Sequence, residues 1–337
     1  MNRFAWTSPR TVSEAAAAAS VTVADAIARP PAGAKAIVKA GGIDLLDLMK
    51  EDLLAPDTLV NLREIPGLNV VAEDAGGLRI GPMVTLAALG SHALVRQRYP
   101  ALADALGQSA SPQIRNVATV GGNLLQRPRC WYFRSLAHHC TRKGGDHCFA
   151  LSGQNQYHAI FDHFPCAIVH PSTMATPLVA LGASVELTDA AGAVRRPLLE
   201  DFFVSPSKDP HRENDLRPQE ILTAVNLPAL PAGTRMAHLK QGEKDSFDWP
   251  LADVAVVLRR GRDGRCTAAS VVLGAAAPTP HRAKAAEAAL LGKRIDETVA
   301  RAAASAALDG AQPLSMNAYK LPLFEALTRR AILAAVA

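Results

Sequence analysis

Between Thr119 and Pro171 the chain changes character, and no other stretch limits its fold as much. Four of its five cysteines (Cys130, Cys140, Cys148, Cys166) and six of its ten histidines (His138, His139, His147, His158, His163, His170) fall there. Such a concentration points to a metal, a disulfide frame or a nucleophile. Disulfides have little motive: a chain of 337 residues buries a core without staples, five cysteines is an odd count, and no secretory hydrophobic segment opens the sequence. A nucleophile uses one thiol and leaves three unexplained. Metal ligation uses all four at once. The cysteines are separated by nine, seven and seventeen residues, with no Cys-x-x-Cys pair. Zinc ligands usually come in pairs about two to four residues apart. An iron–sulfur cluster needs four thiolates and is wider than one ion, so looser spacings suit it better. Residue chemistry alone thus ranks a cluster ahead of zinc, with surface thiols on an irregular loop third.

Length suggests two or three domains. With 49% hydrophobic and 20% charged residues and a mean hydropathy of +0.07, the chain has the composition of a soluble globular protein. The net charge is +5, but the basic residues are scattered; the densest group, Arg127, Arg129, Arg134 and Arg142-Lys143, lies inside the Cys-rich segment. Nucleic-acid binding calls for a continuous basic face with interleaved aromatics, and aromatics are only 5% here. No run approaches the roughly 18 apolar residues of a membrane span. No nucleic-acid or membrane partner is therefore expected. Cytoplasm is the default compartment, with the periplasm, reached by co-export with a signal-bearing partner, as the alternative.

Thr11-x-x-Glu14 ahead of Ala15–Ala19 reads as a capping box. Ala36–Lys39 reads as a buried strand running into Gly41-Gly42-Ile43-Asp44-Leu45, where glycines admit close backbone approach and successive N–H groups can form an anion nest. A plain strand-to-helix turn is the better explanation of a lone Gly-Gly, and no G-x-G-x-x-G or Walker sequence occurs. Leu59–Leu62, Val70–Glu73 and Leu78–Ile80 are strand candidates, Thr85 caps a helix over Leu86–Val95, and a second helix covers Ala101–Leu106. Ser111–Asn123 is polar, contains glycine and reads as a ligand-holding loop. A strand over Ala167–Val169, a helix over Met174–Leu181 and a pairing of Ser184–Leu187 with Val194–Pro197 follow. Pro228 to Gly233 breaks the pattern and sets a boundary around 225–233. Beyond it, Arg235–Lys240, Ala255–Arg260 and Thr267–Leu273 read as antiparallel strands, followed by helices over Arg282–Leu291, Glu297–Leu308 and Tyr319–Ala335. Strands followed by helices make an α+β unit.

Three motifs then fall in order: Ala40-Gly41-Gly42-Ile43-Asp44-Leu45, Arg115-Asn116-Val117-Ala118-Thr119-Val120-Gly121-Gly122-Asn123-Leu124, and Val272-Leu273-Gly274-Ala275-Ala276-Ala277-Pro278-Thr279-Pro280-His281-Arg282-Ala283. Together they resemble the FAD-binding medium subunit of the xanthine dehydrogenase family of molybdenum hydroxylases, over essentially the whole chain. The resemblance implies an α+β fold: a two-part FAD-binding domain of the vanillyl-alcohol-oxidase (PCMH) type over 1–228, then a C-terminal domain over 229–337 with a three-stranded antiparallel sheet and helices. The first domain divides into 1–58 and 59–228, with an insertion at 125–166. Asn123 to Arg134 looks most like the aldehyde oxidoreductase type, whose insertion holds a [4Fe–4S] cluster; here Cys130, Cys140, Cys148 and Cys166 would be its ligands. Lys39, Ala40, Gly41, Gly42, Ile43, Asp44 and Leu45 would form the first FAD loop, and Asn116, Thr119, Gly121, Gly122 and Asn123 the second. Where the family commonly has Asp after His-Pro-Ser, this chain has Thr173, which keeps a hydroxyl but not the charge. Lys240 and Lys244 match the segment bordering the flavin ring. No catalytic residue is expected. A molybdenum-cofactor large subunit would oxidise the substrate, an aldehyde. A [2Fe–2S] small subunit would pass electrons to FAD on this chain and on to an external acceptor. The rival readings are a free-standing vanillyl-alcohol-type flavin oxidase and a zinc-stabilised binding module.

Overall fold

Short apolar runs, punctuated by glycine and proline turns, collect into three sheets in the computed structural model, which describes residues 2–337. Strands β1 (Ala5–Thr7), β2 (Ala36–Lys39) and β3 (Thr58–Asn61) form a parallel sheet in the order β1–β3–β2. Parallel neighbours need a crossover, and the helix Ile43–Lys50 supplies the one between β2 and β3. Thr11 caps the helix Val12–Ala18 as the capping box predicts, its hydroxyl accepting from Glu14 N at 3.1 Å. The Glu14 carboxylate reaches back to Arg10 N instead of to Thr11 N.

A second, antiparallel sheet has the order β4–β5–β8–β6–β7, formed by β4 (Val71–Asp74), β5 (Gly77–Ile80), β6 (Ser184–Asp189), β7 (Val194–Arg195) and β8 (Glu220–Leu227). The helices Leu86–Ser91, Pro100–Gly107 and Ala175–Ala180 contribute to the core that includes Ile80, Val185, Leu187, Leu222 and Val225. The third sheet, β12–β11–β10–β9, comprises β9 (Thr234–Gln241), β10 (Ala252–Arg260), β11 (Cys266–Gly274) and β12 (His281–Arg282). Alternation along β10 separates its faces. Val254, Val256 and Leu258 pack with the C-terminal helices Lys284–Leu290, Glu297–Ala306 and Lys320–Val336, while Ala255 and Val257 join the core of the second sheet.

Several expectations need correction. The C-terminal sheet has a fourth strand, the two-residue β12, which forms once the Pro278–Pro280 turn brings His281 opposite Leu273. Ala167–Val169 is not in a strand; its backbone bonds go to irregular neighbours, with Ala167 O accepting from Ala159 N. The helix expected over Leu86–Val95 is two helices broken at His92, whose ψ of 128° is extended. Ser111–Asn123 is not an open loop: it holds the short helices Pro112–Arg115 and, from Val120, Val120–Leu124.

The Cys-rich insertion is docked at both ends. Phe133 is fully buried among Leu45, Leu48 and Cys140 against the first sheet. At its far end, Asn317 Nδ2 donates to His158 O (3.0 Å) and Ala159 O (3.1 Å), and Ile160 N donates to Ala276 O (2.8 Å). Lys320, also fully buried, donates from Nζ to Tyr157 O (3.2 Å), His158 O (3.0 Å) and Ala275 O (2.9 Å). One lysine thus ties insertion, third sheet and last helix together.

Candidate flavin cavity and four-thiol site

β2 ends at Lys39, and the chain turns through Gly41 and Gly42 into the helix Ile43–Lys50. Gly42 holds φ +90°, a conformation glycine adopts without penalty. Gly41 lies hard against the second loop: a Cβ there would stand 2.4 Å from Val117 O and 3.2 Å from Thr119 N. Thr119 caps the five-residue helix that follows, its hydroxyl accepting from Gly122 N at 3.3 Å. Gly121 N donates to Pro82 O (2.8 Å), which anchors this loop to the second sheet's domain.

The two glycine loops face one cavity of about 570 Å³, within the usual size of cofactor pockets, roughly 300–1,000 Å³. Ala40, Gly41, Gly42, Ile43, Asp44, Leu45, Thr119, Gly121, Gly122, Asn123, Thr173 and Lys240 line it. Lys39, Asn116 and Lys244, also expected there, do not. Lys39 turns back to Ala40 O and Asn61 Oδ1, with Trp6 against its ammonium. Asn116 and Lys244 are exposed. Asn123 Oδ1 accepts from Ser172 Oγ at 2.6 Å, linking the second loop to the His-Pro-Ser-Thr segment. Lys240 Nζ donates to Gln108 O and Asp248 O, and burial lowers its pKa.

Asp44 does more than shape the first loop. Its carboxylate accepts from Arg127 N (2.8 Å) and pairs with Arg129 (2.8 Å) and Arg134 (2.6 Å). Acidic charge at a helix N-terminus is favourable, and here it also clamps the start of the insertion. Sequence reading missed Phe247 and Trp249, which reach the cavity from the β9–β10 loop with Arg115 and Arg129 over their rings. It also missed the buried trio Arg127, Arg142 and Glu213. The arginines were visible as a basic group, but nothing local marks Glu213 as their partner.

The four cysteines expected to act together line one small second cavity, with Arg142 and His158. All are free thiols. His158 Nε2 is 3.2 Å from Cys130 Sγ, and Arg142 Nε donates to Cys166 Sγ at 3.4 Å. A hydrogen bond from Cys148, opposed by burial and aided by Arg142, brings the Cys166 pKa down to about 5, whereas burial pushes Cys130 up to about 12. Among the described residues, no group of three or more His, Cys, Asp or Glu side chains is placed to hold a metal ion. In type and number the four thiols fit a cluster, which takes four thiolates and is tuned by hydrogen bonds to sulfur.

The cavity has the size and glycine-lined walls of a cofactor pocket, and comparison with known proteins specifies the class of the chain. The family profile described as "FAD binding domain in molybdopterin dehydrogenase" matches residues 2–230, and the "CO dehydrogenase flavoprotein C-terminal domain" matches 237–335. The chain belongs to the FAD-binding medium subunits of the xanthine dehydrogenase/CO dehydrogenase family of oxidoreductases. It is 38% identical to the aldehyde oxidoreductase FAD-binding subunit PaoB of Escherichia coli (strain K12), over 86% of this chain and 88% of that one. Among solved structures, carbon monoxide dehydrogenase from Hydrogenophaga pseudoflava superposes with a TM-score of 0.73 at 28% identity, covering 99% of this chain and 97% of that one. Quinoline 2-oxidoreductase from Pseudomonas putida 86 gives the same TM-score, identity and coverage.

Proposed function

We propose that the chain is the FAD- and [4Fe–4S]-bearing electron-transfer subunit of a molybdenum-containing aldehyde oxidoreductase. In this reading it works beside a molybdenum-cofactor large subunit and a [2Fe–2S] small subunit. The observation that carries it is the linkage of two sites: a cavity between two glycine loops, and four cysteines on a second cavity joined to it through Glu213 and Arg142. The 38% identity to PaoB supports aldehydes as the substrate class.

Bound FAD accepts and releases electrons, and a cluster exchanges them one at a time; substrate bond chemistry belongs to the partner. This chain's residues hold and tune. Gly41, Gly42 and the Thr119–Asn123 segment would bring backbone close to the dinucleotide, and Thr173 would offer a hydroxyl where a carboxylate is usual. Lys240, on the cavity wall, would offer a positive charge to offset negative charge gained when the flavin is reduced. The test is anaerobic mixing of the co-purified complex with a panel of aldehydes while the visible absorbance of the flavin is followed. The reading expects substrate-driven bleaching that reverses with an electron acceptor. A flavin in the assembled, molybdenum-loaded complex that does not bleach contradicts it.

A further inference from the structure

We propose that Glu213 is a positioning residue that couples the flavin cavity to the four-thiol site through Arg127 and Arg142. The proposal rests on the reading of those cysteines as one ligand-holding site. Arg142 NH1 is 2.5 Å from Glu213 Oε1, and Arg127 NH1 is 3.0 Å from Glu213 Oε2. All three side chains are at most 3% exposed. At one end, Arg142 Nε donates to Cys166 Sγ. At the other, Arg127 N donates to Asp44 Oδ2, and Asp44, Arg127 and Glu213 all line the flavin cavity. The chain of contacts is therefore continuous: Cys166, Arg142, Glu213, Arg127, Asp44.

At its centre the one carboxylate of Glu213 faces two guanidiniums. Arg127 Nε and NH2 and Arg142 NH2 are buried without hydrogen-bond partners. A buried charge short of partners is costly, and both flanking sites take anions: a dinucleotide pyrophosphate on one side and thiolates on the other. Glu213 and His211 O hold Arg127 through NH1, Glu213 and Cys166 hold Arg142, and an anion in the flavin cavity would satisfy what Arg127 leaves unpaired. When the sulfur of Cys166 is removed, Arg142 loses its second partner and competes with Arg127 for Glu213. Arg127 then moves, and with it the backbone that docks on the Asp44 loop. An intact Cys166–Arg142 contact thereby strengthens FAD binding.

The test measures FAD affinity on the deflavinated full-length chain by fluorescence titration, for wild type, Glu213→Gln, Cys166→Ala and the double variant. Couplings between sites typically amount to about 5–150-fold. Each single variant is expected to weaken FAD binding by a factor in that range, and the double variant by no more than the weaker-binding single. Glu287→Gln, which breaks a pair with Arg282 in the C-terminal domain, serves as the control and should leave FAD affinity unchanged. Should Glu213→Gln fail to fold, Arg142→Lys decides, since it keeps the charge but lacks the Nε–H that faces Cys166. FAD affinity within twofold of wild type in the folded Glu213→Gln or Arg142→Lys protein, or additive effects in the double variant, overturns the proposal. Iron and sulfide are counted on wild type separately. Absence of iron removes the cluster reading, while the Cys166–Glu213 coupling is still read from flavin affinity.

Discussion

Gly41→Ala lowers FAD affinity at least about a hundredfold, equivalent to about 2.7 kcal/mol, and leaves the chain folded. The new methyl would stand 2.4 Å from Val117 O, a backbone atom that no rotamer change can move aside. Relief requires the first glycine loop to separate from the second, and the cavity lies where those two loops meet. The hydrophobic cores do not involve Gly41, so the melting temperature should fall only slightly. Gly33→Ala is the matched control, because nothing lies within 4 Å of its Cβ position. Equilibrium dialysis against FAD, with circular dichroism for folding, distinguishes the outcomes. Unaltered FAD affinity in Gly41→Ala would mean that the loops do not grip the dinucleotide.

Lys320→Met lowers stability by on the order of 3 kcal/mol and loosens the insertion first. Methionine preserves much of the packing of the stem but none of the three hydrogen bonds. His158 O keeps Asn317 as a donor, whereas Tyr157 O and Ala275 O lose the Lys320 bond. An unpaired buried group costs about 1–3 kcal/mol, partly offset because the variant no longer buries a charge. Limited proteolysis should therefore cut within the Cys-rich insertion of the variant before it cuts the wild type. The effect also depends on pH. Burial pushes the Lys320 pKa down to about 7 from 10.5. Below that range the side chain is protonated in folded and unfolded chains alike, and the full cost of burial stands. Between the two values the unfolded chain binds the extra proton, so wild-type stability rises with pH, by up to about 1.4 kcal/mol per unit. The gap in melting temperature between wild type and Lys320→Met should widen from pH 7 to pH 9. A gap that narrows contradicts this role for Lys320.

What could be read from sequence followed from residues whose chemistry is local. Glycines at 41, 42, 121 and 122 mark close backbone approach wherever they occur, and twelve expected residues do face one cavity. Four thiols announce themselves by type, and they meet on a second. The C-terminal strands are legible as apolar runs bounded by the Arg262–Arg265 turn, although both faces of β10 meet a core. β8 escaped because every residue but Asn226 is buried, leaving no alternation to detect. The short helix after Thr119 is rich in glycine and is held by a threonine cap and by bonds to Pro82 and Val84, not by helix propensity. In the Arg127–Glu213–Arg142 trio each arginine lies 71 or more positions from Glu213, and ion pairs across such distances leave no periodic trace.

The most direct measurement counts iron, acid-labile sulfide and FAD per chain on anaerobically purified protein, beside a Cys140→Ala variant. The account predicts about four irons and four sulfides with one FAD. Iron should be lost in the variant while FAD is still bound, with affinity reduced by no more than the coupling through Glu213 allows. Wild-type protein that carries FAD without iron, or with one zinc in its place, would contradict the two-site account and leave the cysteine-lined cavity a structural feature of a flavin subunit.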